Sequence, residues 1–172
     1  TIIMKAGAEN LNEVTVAEKA VSATVEGDTV SFNARAYKTT QNASAKDLVE
    51  KMPGIQDNDG EIQAQGEKVQ QVLVDGKQFF GQNPKTALST LPAEVVDKIQ
   101  VFDDKSEQSK ASGVDDGTRV KTLNIVTKIN MRNGEFGKVY AGYGSDDRYS
   151  TGSNLNMFRG ERRLSILAQV NN

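Results

Sequence analysis

Residues 69 to 104, VQQVLVDGKQFFGQNPKTALSTLPAEVVDKIQVFDD, constrain the fold more than any other stretch of the chain. Val69, Val72, Leu73 and Val74 make an apolar, strand-like run that stops at Asp75-Gly76. That pair closes tight turns, because Gly takes positive φ without steric cost. A polar and aromatic loop follows, and then Leu91-Pro92-Ala93-Glu94, where Pro occupies a first helical position and an acid sits in the first turn. Val95, Val96 and Ile99 fall at helical spacing behind it, and residues 99 to 102 read as a second strand. The order strand, loop, helix, strand predicts an α+β domain.

Composition removes several classes of chemistry. The 172 residues include no Cys, His or Trp and carry a net charge of −2. Without His and Cys there is no Ser-His-Asp or Cys-His nucleophile, no zinc site of the common type and no imidazole base. No cofactor or metal is expected, and the near-neutral balance lacks the basic footprint of a nucleic-acid binder. No run of roughly 18 apolar residues predicts a membrane helix. The start, TIIMKAGAEN, does not read as a signal peptide, so an export signal is expected upstream and the chain reads as an internal fragment.

The rest of the chain fits the same class. Gly27-Asp28 predicts a turn, and residues 29 to 34 a strand with Val30 and Phe32 on one face. Asn42 or Ser44 can cap a helix in which Ala45, Leu48, Val49 and Met52 share one face, and Pro53-Gly54 stops it. Asn42-Ala43-Ser44 also matches a glycosylation sequon, a pattern too short to weigh. Asp57-Asn58-Asp59-Gly60-Glu61 resembles the start of a calcium loop, but the twelfth position is Lys68 instead of a bidentate Glu, which leaves a solvated turn. Residues 62 to 65 predict a short strand. Asp115-Asp116 could be taken for an acid/base pair, yet no third group tunes them apart. A carboxylate-based hydrolase is therefore a minor alternative.

From Lys138 the pattern changes to period two. Val139, Ala141 and Tyr143 alternate with Lys138, Tyr140 and Gly142; residues 148 to 157 and 163 to 170 alternate likewise around a Gly160-Glu161 turn. Strands of about nine to eleven residues with this period fit a membrane β-barrel, and half-buried soluble hairpins alternate in the same way.

Four strings in order, MPGIQ, VLVDGK, LPAEVVDKIQVF and TLNIVTK, resemble the plug domain of TonB-dependent outer-membrane transporters. The resemblance implies residues 1–10 as the end of a preceding carboxypeptidase-regulatory-like β-domain or linker, and 11–20 as a segment holding a TonB box. It further implies 21–131 as a plug with a small mixed sheet and two or three short helices, and 132–172 as the first antiparallel strands of a larger barrel. Glu13, Val14, Thr15, Val16 and Ala17 would be the TonB box, although they also read as an ordinary first strand. The partners implied are the periplasmic TonB protein, the chain's own barrel, outer-membrane lipid and, in the glycan-importing branch, a surface lipoprotein. The N-terminal end would lie in the periplasm. Gln78, Phe79, Phe80, Gln82 and Asn83, with Asp57 and Asp59, would face a large nutrient such as an oligosaccharide or metal chelate. Many plugs carry Gly-Pro-x-Ser where this chain has residues 103 to 108, DDKSEQ, so the chain departs from the commonest pattern there. The rival reading is a soluble periplasmic or cell-surface binding module with an α+β fold.

Overall fold

In the computed structural model, residues 21–172 are described apart from 59, 80–82 and 161. The TonB-box expectation, residues 13 to 17, and the first expected unit therefore lie outside the described residues. The class is α+β: among the described residues three short α-helices pack on strands arranged in three sheets.

The chain enters through β1 (Ala23–Glu26), turns at Gly27 and pairs back as β2 (Thr29–Asn33). Helix α1 (Ala45–Val49) begins where the capping pattern placed it. Ser44 Oγ accepts from Asp47 N at 3.3 Å, and Asp47 Oδ2 accepts from Ser44 N at 2.7 Å. This reciprocal box satisfies two amides that a helix start leaves unpaired. Replacing Ser44 by alanine is expected to cost about 1 kcal/mol in denaturant unfolding. Strands β3 (Ile55–Asn58), β4 (Glu61–Ala64) and β5 (Glu67–Lys68) form a small antiparallel sheet whose Ile55, Ile62 and Ala64 are buried.

Strand β6 (Gln71–Val74) is buried along its whole length and meets β7 (Lys77–Gln78) through Asp75 and Gly76, both at positive φ. The turn expected at Asp-Gly is thus a two-residue hairpin. Helix α2 (Pro84–Thr90) follows, and then β8 (Val96–Lys105). Here the sequence expectation is corrected. The Pro-started helix begins at Pro84, capped by Asn83, and not at Pro92. Residues after Pro92 make only a 3-10 turn, Ala93–Val95. Ala45 N donates to Leu91 O and Ala93 N to Ala43 O, so the backbone around Pro92 is held extended against the start of α1. The register of β8 on its neighbour shifts between Val96 and Lys98. That irregularity puts buried Val96 and Ile99 three residues apart on one strand face, which imitates helical spacing.

Helix α3 (Glu107–Ser112), capped by Ser106 and closed by Gly113 at φ 73, follows, so that residues 103 to 108 are divided between the end of β8, the cap and the start of this helix. Strand β9 (Arg119–Thr127) then enters the sheet centre. The six-stranded sheet runs β1-β2-β8-β9-β6-β7, antiparallel except for β6 beside β9. One face carries the apolar core, with Phe32, Val72, Val74, Ile99, Val101, Leu123 and Ile125 under Leu48, Val49, Leu88 and Leu91. The other bears a polar row: Gln100 donates to Ser31 Oγ at 3.5 Å, Asn124 donates to Gln100 at 2.9 Å, and Gly76 N donates to Asn124 at 2.9 Å.

The third sheet is an antiparallel meander, β10 (Asn133–Tyr143), β11 (Tyr149–Arg159) and β12 (Arg162–Asn171). These lengths agree with the period-two expectation.

Candidate functional site

The residues proposed to face a nutrient divide into two groups. Asp57 lies beside the helix that Asn83 caps, through Lys85. Asp57 accepts from Gly60 N at 2.7 Å and pairs with Lys46 at 2.5 Å. Gly60 at φ 91 leaves room for Lys85, whose ammonium would meet any Cβ at that position within 2.7 Å. Lys85 stands in the first turn of α2, next to Asn83. The β3–β4 turn and the start of α2 thus share a shallow polar hollow lined by Glu50, Gln56, Asp57, Asn58, Gly60 and Lys85. Asn83 itself is engaged locally, accepting from Thr86 N at 3.1 Å. Asp59, Phe80 and Gln82 lie outside the described residues.

Gln78 and Phe79 go elsewhere. Gln78 is exposed and lines a separate groove with Lys68, Gln71 and Glu107. Phe79 is 5% exposed and meets Phe158 edge-on at 6.2 Å between ring centroids. A ring so covered is not available to stack on a ligand, so Phe79 is a core residue here and its assignment to substrate contact is withdrawn. The isolated acid pair also resolves structurally. Arg119 binds both oxygens of Asp115 at 2.9 and 3.0 Å, and Asp116 accepts from Ser106 Oγ at 2.8 Å.

These contacts set the response to acid. The Ser44 backbone N–H holds the Asp47 carboxyl below its usual range, and the Lys46 ammonium does the same for Asp57. The Arg119 guanidinium holds Asp115 well below that range, while the Ser109 and Ser106 hydroxyls bring Asp116 down to about 2. A carboxyl with a depressed folded-state pKa adds stability above its unfolded value and loses it as pH falls through the folded one. Stability is therefore expected to be level above about pH 5 and to fall between about pH 4 and 2, which a denaturant-midpoint series against pH would show.

Sequence reasoning missed the junction between the two larger sheets. Arg163, on β12, donates to Val74 O and, at 2.9 Å, to Asp75 Oδ2. Asp75 also accepts from Thr127 N and Thr127 Oγ1, both at 2.8 Å. Both members of the ion pair are 14% exposed. The Arg163 guanidinium lies 5.1 Å from the Phe158 ring centroid, and Phe136 meets that ring edge-on at 4.9 Å. Asn156, fully buried, donates to Thr90 O at 3.4 Å and accepts from Ser165 at 2.7 Å; Lys138 reaches Asn42 O at 3.3 Å. The available signal was Arg163 standing in line with Ser165 and Gln169 on one strand face.

The register assigns every side chain of the meander to one of two faces. Towards the helices and β6 turn Phe158 with Arg163, then Phe136, Asn156 and Ser165, then Lys138, Asn154 and Leu167, then Tyr140, Gly152 and Gln169, with Ser150 and Asn171 at the far end. The opposite face starts at Arg159 and Arg162, carries Glu135, Met157 and Leu164, then Leu155 and Ile166, then Val139, Ser153 and Ala168, then Ala141, Thr151 and Val170, and ends at Tyr143 beside Tyr149. Its large apolar side chains, Val139, Tyr143, Leu155, Leu164, Ile166 and Val170, are 42 to 80% exposed. A half-buried soluble sheet turns its apolar face to the core and its polar face to water. Here the face turned away from the α+β domain carries the large exposed apolar side chains, while the face against it sets Arg163, Asn156, Asn154 and Lys138 beside Phe158, Phe136 and Leu167. No helix among the described residues is long and apolar enough to cross a membrane, which says nothing about strands.

Compared with models of known protein families and with curated protein sequences, the chain matches none of them.

Proposed function

We propose that this chain is the plug domain and first barrel strands of a TonB-dependent outer-membrane transporter that gates energised uptake of a large nutrient, an oligosaccharide or a metal chelate. The single observation that carries the reading is the exposed apolar band on the outward face of the meander, Leu164, Leu155, Ile166, Val139 and Val170, with Arg163, Asn156, Asn154 and Lys138 turned to the other face. In a transmembrane barrel the outward band contacts acyl chains and the inward face lines a polar lumen. Along the outward face the rows from Met157–Leu164 to Tyr143–Tyr149 span eight residues of strand. At about 3.4 Å per residue and a tilt of about 40°, that is roughly 20 Å of height, with an aromatic pair at one rim.

Two further features support it. The meander's inward groups make ionic and amide bonds to the α+β domain, as expected of a plug seated against its wall. Strands β10 and β12 each pair on one side only among the described residues. Edges of that length are unsustainable in lipid unless further strands pair with them, and the proposal places those strands in the remainder of a barrel.

Mechanism follows from the resemblance. Nutrient binds at plug loops, for which the hollow between Asp57, Gly60 and Lys85 and the exposed Gln78 are the positions on offer. Energised TonB then draws on residues 13 to 17 and remodels the plug, with no bond chemistry. Deleting residues 13 to 17 from the product of the complete gene is expected to abolish growth on the transported nutrient while the protein stays in the outer membrane. Recovery of the undeleted protein in the soluble periplasmic fraction would overturn the reading and favour the soluble binding module.

A further inference from the structure

The outward face has a second rim, opposite the tyrosines. Arg159 and Arg162 are direct cross-strand partners, one row beyond Met157 and Leu164, and both are exposed on the same side as the apolar rows. Like charges directly opposite one another on a sheet face destabilise it. Arg159 meets Glu135 at 3.1 Å, and that bond is itself exposed. Residues 159 to 163 carry three arginines to one glutamate, and the third, Arg163, is turned inward onto Asp75. A paired guanidinium row at the end of an apolar surface matches one kind of ligand: an anion tethered to acyl chains.

We propose that Arg159 and Arg162 form a headgroup site for an anionic glycerophospholipid, whose phosphate bridges the two guanidinium groups while its acyl chains lie along Leu164, Ile166 and Leu155. Planar guanidinium donors suit phosphate oxygens, and a lipid phosphate offsets the repulsion of like charges placed directly opposite one another. The site rests on the membrane reading above and adds which lipid the wall selects and where.

The test is local. The chain has no Cys, so Leu164→Cys in the full-length gene product carries one fluorophore beside the arginine row. It is reconstituted in vesicles containing brominated phosphatidylglycerol or brominated phosphatidylcholine, and quenching is compared. Expected is a phosphatidylglycerol enrichment on the order of tenfold, reduced to near unity in Arg159→Gln/Arg162→Gln. A label at Val170→Cys, near the tyrosine rim, should show no such change between the two backgrounds. Equal quenching by both lipids at Leu164→Cys, or an enrichment that survives the double substitution, would overturn the headgroup site while leaving the membrane reading intact. Quenching by neither lipid would overturn both.

Discussion

Replacing Asp75 by alanine is expected to destabilise the fold by about 3–5 kcal/mol. The carboxylate accepts three hydrogen bonds, from Thr127 N, Thr127 Oγ1 and Arg163 Nη2. Removing it leaves the Thr127 backbone amide without its acceptor and the Arg163 guanidinium without its carboxylate, with Val74 O still accepting from it, in a largely buried setting. Asp75 also sits at φ 46, where alanine adds strain that asparagine tolerates better. Asp75→Asn separates the contributions, because it retains the turn and loses the charge. The double variant Asp75→Ala/Arg163→Met is expected to recover part of the loss, since the buried charge goes with its partner, while Thr127 stays unpaired. Urea unfolding of the unsubstituted chain, Asp75→Ala, Arg163→Met and the double variant measures this cycle. A single-variant cost below 1 kcal/mol would show that the pair contributes nothing to joining the sheets.

Phe158→Ala is the second large effect, with an expected loss of about 3–5 kcal/mol. The ring is 1% exposed and meets Phe79 and Phe136 edge-on with Arg163 over its face. Truncation removes two aromatic contacts and the apolar support of the guanidinium. Its location makes the effect selective. Hydrogen exchange should accelerate across β11 and β12, whereas the centre of the six-stranded sheet, β8 and β9, stays protected because its core lies under α1 and α2. Uniform acceleration in both sheets would instead mean that the two unfold as one unit.

Local features of the chain were readable in advance and distant ones were not. Ser44 and Asp47 are three residues apart, so their capping box is written in a short string; so are the Asp75-Gly76 hairpin and the long alternation after Lys138. The helix expected at Pro92 failed because the register shift near Val96 gives a strand a helical apolar spacing, and because the backbone there pairs with residues near Ala43. Asn83-Pro84 held the better helix signal, a capping residue followed by Pro at the first position. Phe79 was offered to a ligand because its burial depends on Phe158, far along the chain. Arg163 and Asp75 are 88 residues apart, beyond any local pattern. Alternation identified the two faces of the meander, but only the fold says which one meets the α+β domain, and the functional argument turns on that.

The most direct measurement exploits the absence of cysteine. Single cysteines at Val139, Leu155 and Ile166 on the outward face, and at Ser150, Asn154 and Gln169 on the inward face, would carry spin labels in the full-length protein held in its membrane. The account predicts that the first three labels collide with oxygen dissolved in the acyl chains and are shielded from a water-soluble relaxation agent, while the inward three lack that lipid signature. Free access of the water-soluble agent to all three outward positions would contradict it, and with it the assignment of this sheet to a membrane wall.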